Sequence, residues 1–386
     1  MKDRNYDVAA YIWPAYCQND RTDIFWPEGD GEWQSVRSAM AKYPGDSWPR
    51  RPLWGYVDEA DPRVMEMQID EATRHGVNVF IYDWYWYDRR PYLENCLNDG
   101  FLGAANRDKM RFYLMWANHD AVTVWDKRLS DKGETVIWQG AQDRTEFERI
   151  ARRLTQRYFL QDNYYRIDGR PVFCIYDLDN LIRGLGGVEQ TRAALDWWRA
   201  EAVRAGLPGL HLQCILRNAR TYNVTGVAGD NIGVQREVVE ALGFDSVTHY
   251  QYVHIMEIGD YDRMIDDMAA ERERICSEYG VPYFPHVSIG WDNNPRFRLL
   301  RQDITTGNTP QAFARALREA RDYLEAHPQL PPLVTVNSWN EWTETSYLEP
   351  DDRNGYGYLE AVRRVFVEEA ETADKVAVGG GAAVAR

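Results

Sequence analysis

Leu333-Val-Thr-Val336, followed at once by Asn337-Ser-Trp-Asn-Glu-Trp-Thr-Glu-Thr-Ser-Tyr-Leu-Glu-Pro350, is the stretch on which the reading of this chain turns. The first four residues are apolar and mostly β-branched, so they read as a short buried strand. Beyond that strand stand Asn340, Glu341 and Glu344, interleaved with Trp339, Trp342 and Tyr347. Two carboxyl groups three residues apart can move protons, and flat rings around them can hold sugar faces. The plain alternative is a polar strand-to-helix loop capped by glutamates, and only the rest of the chain separates the two.

Working outward, short apolar runs alternate with amphipathic ones. Strands are expected at Val8–Tyr16, Val77–Tyr82, Arg111–Trp116, Pro171–Tyr176, Gly209–Ile215, Ser246–Gln251, Tyr283–Ile289 and Leu333–Val336. Helices are expected at Pro62–His75, Tyr92–Gly100, Thr145–Phe159, Val188–Ala205, Val234–Leu242, Tyr261–Glu278, Thr309–Ala326 and Gly357–Thr372. Eight strand-then-helix alternations predict an α/β fold, a closed (β/α)8 TIM barrel. A doubly wound sheet is the runner-up, but no GxGxxG follows the first strand and no Walker-type loop occurs. The long links Cys17–Asp61 and Ala121–Asp143 read as loops over the C-terminal mouth, not as separate domains. Residues 1–372 are expected to form one catalytic domain. The tail 373–386, with Gly379-Gly-Gly381, has nothing to pack and is expected to be disordered.

The 386 residues carry 60 acidic against 45 basic side chains, a formal net charge of −15. That balance repels phosphate backbones and anionic membranes, so neither nucleic acid nor membrane is an expected partner; a neutral carbohydrate is. The sequence says nothing of oligomeric state. The 5 cysteines form no CxxC pair and read as reduced, packed thiols. With no signal-like start and no stretch of about 18 apolar residues, a cytoplasmic chain is expected.

In such a barrel the working residues lie at the carboxyl ends of the strands. Strand one ends in Tyr11, Trp13 and Tyr16, and strand two runs into Asp83, Trp84 and Tyr85. Strand three delivers Trp116, Asn118, His119 and Asp120; strand four, Tyr176 and Asp177; strand five, Arg217 and Asn218. Strand six carries His249, Tyr250 and Tyr252, and strand seven His286, then Trp291 and Asp292. Strand eight supplies Trp339, Asn340, Glu341, Trp342 and Glu344. Singly, each has a structural explanation: an Asp after a strand caps a helix, a lone His is a bonded core imidazole, and rings close barrels. Together they describe a mouth lined by rings, acids and amides, as a sugar cleft requires. His119, Asp120, His249 and His286 are the candidates for a metal, but no HExxH or close ligand spacing supports one, so no metal and no cofactor are expected. Arg217 and Arg296 are the candidates for a phosphate clamp, against the acidic balance.

These residues resemble the superfamily of glycoside hydrolase family 99 and its WbsX-like relatives, the latter often labelled glycosyltransferases of polysaccharide gene clusters. The resemblance rests on Tyr11-Ile-Trp-Pro14, Val79-Phe-Ile-Tyr-Asp-Trp-Tyr85, Tyr165-Arg-Ile-Asp-Gly-Arg-Pro-Val172, Gly290-Trp-Asp-Asn-Asn-Pro-Arg296 and Trp339-Asn-Glu-Trp-Thr-Glu-Thr-Ser-Tyr-Leu-Glu-Pro350, and the WbsX-like branch is the closer match. It implies metal-free action on α-linked glycans, with retention through a 1,2-anhydro-sugar intermediate. It also implies that Glu341 assists the sugar 2-hydroxyl and Glu344 is the general acid/base. Thr343 stands where the family 99 hydrolases have His, and Thr345 where Gly is usual. Burial against rings is expected to raise Glu344, while Asn340 or a Tyr hydroxyl keeps Glu341 ionised. The function expected is a glycoside hydrolase. Its rivals are a glycosyltransferase of polysaccharide biosynthesis, which requires a basic phosphate pocket, and a non-catalytic sugar-binding protein, which requires no converging acids.

Overall fold

A parallel strand is covered on both faces, which is why its sequence is a nearly unbroken apolar run and not an alternation. In the computed structural model, which describes residues 5–217, 221–223 and 232–370, eight parallel strands form the barrel, most of them such runs. They are β1 (Asp7–Ile12), β2 (Val79–Tyr87), β3 (Arg111–Trp116), β4 (Arg170–Ile175), β5 (His211–Ile215), β6 (Ser246–Thr248), β7 (His286–Ser288) and β8 (Leu333–Asn337). They pair in parallel in the order β6-β5-β4-β3-β2-β1-β8-β7. The ends of that series are joined by a bridge between Val247 and Tyr283, where Val247 N–H donates to the Pro282 carbonyl and Phe284 N–H to the Val247 carbonyl, both at 2.9 Å. The molecule is therefore the (β/α)8 barrel that the alternation predicts.

The outer layer consists of α1 (Pro62–Arg74), α2 (Arg144–Leu154), α3 (Leu178–Leu185), α4 (Val188–Arg204), α5 (Gln235–Leu242), α6 (Tyr261–Glu278), α7 (Pro310–Ala326) and α8 (Gly357–Arg363). Their starts follow from local chemistry. Asp61, Asp143, Asp177, Asp260 and Thr309 each accept an orphan backbone N–H of the first turn. Pro62 and Pro310 stand where a missing N–H is harmless.

Three local features depart from expectation. The helix expected at Tyr92–Gly100 is only a π-helical turn, Cys96–Phe101. The reason is that β2 does not stop at Tyr82; it runs to Tyr87 and doubles back, Tyr85 pairing with Tyr92 and Tyr87 with Arg90. Asp88 and Arg89 make that turn at φ 53° and 61°, left-handed values the sequence does not announce with Asn-Gly. Finally, α3 has no counterpart among the expected helices. The expected tail, 373–386, and Asn218 lie outside the described residues. Among the described residues, no helix is long and apolar enough to cross a membrane.

Candidate active site

At the carboxyl ends of the strands lies a cavity of about 610 Å³, within the usual range for small-molecule sites. Strand parity decides which side chains reach it, since neighbours on a strand point to opposite faces. On β2, Asp83 and Tyr85 line the cavity, while Trp84 and Trp86 face the helices and donate to Glu94 (2.7 Å) and Glu146 (3.2 Å). On β3, Met115 and then Ala117 face inward, and Trp116 turns outward against Phe147. Of the residues expected at the mouth, Trp13, Asp83, Tyr85, His119, Asp120, Tyr176, Asp177, Arg217, Tyr250, Trp291, Glu341 and Glu344 line the cavity.

The others sit behind it, each with a partner that explains its place. Tyr11 donates to the His249 carbonyl (3.1 Å) from inside the barrel, and His249 Nδ1 meets the Tyr283 hydroxyl at 3.0 Å. His286 bridges Thr335 and Ser288, both at 2.9 Å, in the barrel's polar core, and the Tyr252 hydroxyl points at its carbonyl. Asn118 joins β3 to α3 by bonding both polar backbone atoms of Asp177. Asp292 accepts from Asn294 and Tyr43. Trp339 and Trp342 donate to Gln68 (3.1 Å) and Glu349 (2.6 Å). Asn340 binds Glu59 and both polar atoms of the Trp13 backbone.

The loop after β8 folds into a short antiparallel ribbon, Asn340–Glu341 against Ser346–Tyr347, with one tight turn, Trp342–Glu344, between them. That turn brings residues three apart to one side, as a straight strand does not. It closes on Thr345 at φ 57°, a left-handed value disfavoured for a β-branched residue. Two hydrogen bonds hold Thr345 there: its hydroxyl donates to the Asp292 carbonyl (2.8 Å) and accepts from Trp48 Nε1 (3.0 Å).

Glu341 and Glu344 meet on a single guanidinium. Arg296 donates through Nη2 to Glu341 (2.5 Å), through Nη1 to Glu344 (2.7 Å) and through Nε to Glu32 (3.0 Å). Trp13 Nε1 completes the cluster by donating to the other oxygen of Glu32 at 2.5 Å. All four charged groups are buried, Glu32 completely. Burial lifts the carboxyls of Glu341 and Glu344 above the ordinary range; Arg296 opposes the rise, and Glu32 adds to both. Glu341 is raised further by the charge of Glu344. Two acids that face one cation, with a third beside them, favour holding a proton between them. One oxygen of Glu344 is buried without a hydrogen-bond partner. The Asn340 or Tyr hydroxyl expected to hold Glu341 ionised is not its partner: Asn340 is committed to Glu59, and Arg296 is the partner instead. Burial and the charge of Glu344 still lift Glu341 above the ordinary range, against the expectation that it stays ionised.

Asp83 lies in the same hollow. Its carboxyl is lifted well above the ordinary range by burial, pulled back by the Tyr250 hydroxyl it accepts (2.9 Å) and lifted again by Glu344. Its second oxygen has no partner. His254 and His119, also on the wall, are pushed toward the neutral form by burial, His254 to about 3. Asp177 caps α3 and pairs with Arg217 at 3.1 Å, so capping and lining coexist in one residue. Among the described residues, no group of three or more His, Cys, Asp or Glu side chains is placed to hold a metal ion.

The sequence reading missed several lining residues. Arg296, inside Gly290–Arg296, reads from the sequence only as a candidate phosphate clamp. Glu32, which is buried behind the wall on Arg296 and does not itself line the cavity, sits in the long link after β1 with no local signal at all. Val122, Val124, Trp125, Asn180, His254 and Asn293 also line the cavity.

A family model described as Glycosyltransferase WbsX matches residues 8–362. Two curated proteins of Xanthomonas campestris pv. campestris, from strains B100 and ATCC 33913, each called uncharacterized protein WxcX, are 26% identical over 388 aligned residues. The match covers 96% of this chain and 51% of theirs, so the chain spans about half the length of these relatives. Among solved structures, the GH99 endo-alpha-mannosidase from Bacteroides thetaiotaomicron in complex with bis-tris-propane aligns with a TM-score of 0.60 at 13% identity, covering 97% of this chain and 99% of that one. A glycoside hydrolase-like protein aligns at 0.57 and 17% identity, covering 94% of each chain. At such identities the likeness shows a shared barrel fold.

Proposed function

The chain belongs to the Glycosyltransferase WbsX family, and from that premise we propose that it is a glycoside hydrolase cleaving an α-glycosidic bond in a poly- or oligosaccharide, with the barrel as its catalytic domain. The observation that carries this reading is the seating of Glu341 and Glu344 side by side on Arg296, at the edge of a ring-walled cavity. Neighbouring acids on one cation suit two proton transfers at adjacent oxygens of one sugar. In the first step Glu341 takes the 2-hydroxyl proton as O2 attacks C1, and Glu344 gives its proton to the departing oxygen. The C1–O2 bond forms as the glycosidic bond breaks, leaving a 1,2-anhydro sugar. In the second step water attacks C1 and yields a proton to Glu344, while Glu341 returns its proton to O2. Two inversions at C1 give net retention, and no metal takes part. The first attack requires O2 to stand anti to the leaving group, so an α-linked substrate must carry an axial 2-hydroxyl.

The family description supports a second reading, transfer from an activated sugar. Against it, both arginines on the wall are engaged, Arg296 with three glutamates and Arg217 with Asp177. The remaining charged side chains on the wall are acidic, which disfavours a diphosphate. Release of reducing ends from a panel of α-linked glycans and aryl glycosides tests the hydrolase. Glu344→Gln is expected to lower turnover at least ~10²-fold with unchanged melting; undiminished turnover refutes the role. Turnover only with a nucleotide sugar present establishes the transferase instead.

A further inference from the structure

The cavity has a roof unlike its other walls. Residues Ala121–Val122 pair antiparallel with Val136–Trp138, forming an excursion from the end of β3. This excursion reaches the loop after β7: Ser130 Oγ donates to the Arg296 carbonyl (2.7 Å), and Arg298 N–H donates to Asp131 (2.9 Å). Lys127 ties it to the Ser38 carbonyl at 2.8 Å. Trp125, nearly buried, meets the rings of Trp13, Phe25, Tyr85 and His119. The roof is thus anchored on three sides.

Its inner face carries an aliphatic patch, beside which Trp125 and Glu134 of the same excursion also line the cavity. Val122, Val124 and Val136 line the cavity, with Met115 and Ala117 behind them. Between the first two stands Thr123, of the same branched shape. Its hydroxyl is turned into the excursion, donating to the Gly133 carbonyl (3.0 Å) and accepting from Thr135 N–H (3.1 Å). The polar member of the Val-Thr-Val run therefore serves the fold, and the two apolar members face the ligand. Aromatic planes suit the C–H faces of sugar rings, but a valine cluster offers no plane and no hydrogen bond. A hydroxyl set against it loses water and gains no partner, whereas a methyl group is matched.

We propose that the sugar held under this roof carries a methyl-terminated substituent, either the C6 methyl of a 6-deoxyhexose or the methyl of an acetyl group. This rests on the cavity being a glycan site, and it narrows the substrate class of the proposed hydrolase. One methyl or hydroxyl in an apolar pocket is worth about 10–200-fold in discrimination. The test uses three matched 4-nitrophenyl α-D-mannosides: the parent, its 6-deoxy analogue and an O-acetylated analogue. Binding to Glu344→Gln is measured by calorimetry, so that the preference is read without turnover, and kcat/KM is measured on the unaltered protein. At least tenfold tighter binding of one methyl-bearing analogue over the parent is expected, and which analogue wins identifies the source of the methyl. Isosteric Val122→Thr and Val124→Thr changes are expected to cut that preference at least fivefold, with melting temperature confirming that each variant folds. Equal binding of all three, or tighter binding of the parent, overturns the proposal. Preferential binding without any turnover by the unaltered protein leaves the methyl preference standing and counts against the hydrolase alone.

Discussion

Replacing Glu32 by Gln removes one charge from the Arg296 cluster while keeping the shape and an oxygen for Trp13 Nε1. Glu32 and Glu344 occupy different nitrogens of one guanidinium, which sets their carboxyls about 5–6 Å apart; at an effective dielectric near 20, a unit charge there is worth about 3 kcal/mol, or about two pKa units. Salt and water at the mouth reduce this, so a fall of about one to two units is expected for the acid pair. The sign follows from the charge. Glu32 raises both Glu341 and Glu344, so its neutralisation leaves Arg296 to stabilise their ionised forms more strongly. In a bell-shaped profile of kcat/KM against pH, the acid limb reports the base and the alkaline limb the proton donor. Both limbs are expected to move to lower pH in Glu32→Gln, and the activity lost at neutral pH is expected to be partly recovered on acidification. The assay is a pH series on an aryl glycoside the protein cleaves. A uniform loss of rate with both limbs unmoved refutes the reasoning and reduces Glu32 to a packing role.

A buried acid behind the site gives a stability test. Glu59 is lifted from 4.5 to about 7, by burial first, with hydrogen bonds from Asn340, Gln68 and Cys96 opposing the rise. A carboxyl raised on folding contributes stability that is full below its unfolded value and is lost as pH climbs through its folded one. Relative to Glu59→Gln, the unaltered protein is therefore expected to lose about 3 kcal/mol of stability between pH 4.5 and 7; denaturation midpoints that stay parallel for the two proteins across that range contradict this. At Thr345, the Ala variant keeps the left-handed backbone and loses both hydrogen bonds, a cost of about 1–3 kcal/mol, while the Gly variant is expected to lie about 1 kcal/mol above Ala because the backbone strain is relieved. Urea titrations decide, and an Ala variant as stable as Gly defeats the argument.

Period and composition carried most of the architecture. The longer strands were legible because each is covered on both faces and so is mostly apolar, and α6 (Tyr261–Glu278) appears with its expected bounds. The turn at Asp88-Arg89 was not legible, because two non-glycine residues adopt left-handed values that only the packing of β2 against its returning segment imposes. Parity separates the two faces of β2: in Asp83-Trp-Tyr-Trp-Tyr, the alternate residues Trp84 and Trp86 must turn away from the mouth if Asp83 and Tyr85 face it. Glu341 and Glu344 were legible as a pair from their spacing and setting. Their shared Arg296 and its third partner Glu32 were not, since residues 264 apart meet only through the closed barrel.

The closing rung between Val247 and Tyr283 is the shortest backbone ladder of the cylinder, and side chains stitch the seam instead. Thr248 donates to the Phe284 carbonyl (2.9 Å), Gln251 to the Gly290 carbonyl (3.2 Å) and Tyr252 N–H to Ser288 (3.0 Å). Every other neighbouring pair of strands is stitched by a ladder of at least three residues, whereas here one residue of β6 meets the approach to β7. Tyr250 and His254 stand on one bank, and Trp291, Asn293 and Arg296 on the other. Side-chain bonds, and not a backbone ladder, therefore set how far apart these two banks stand.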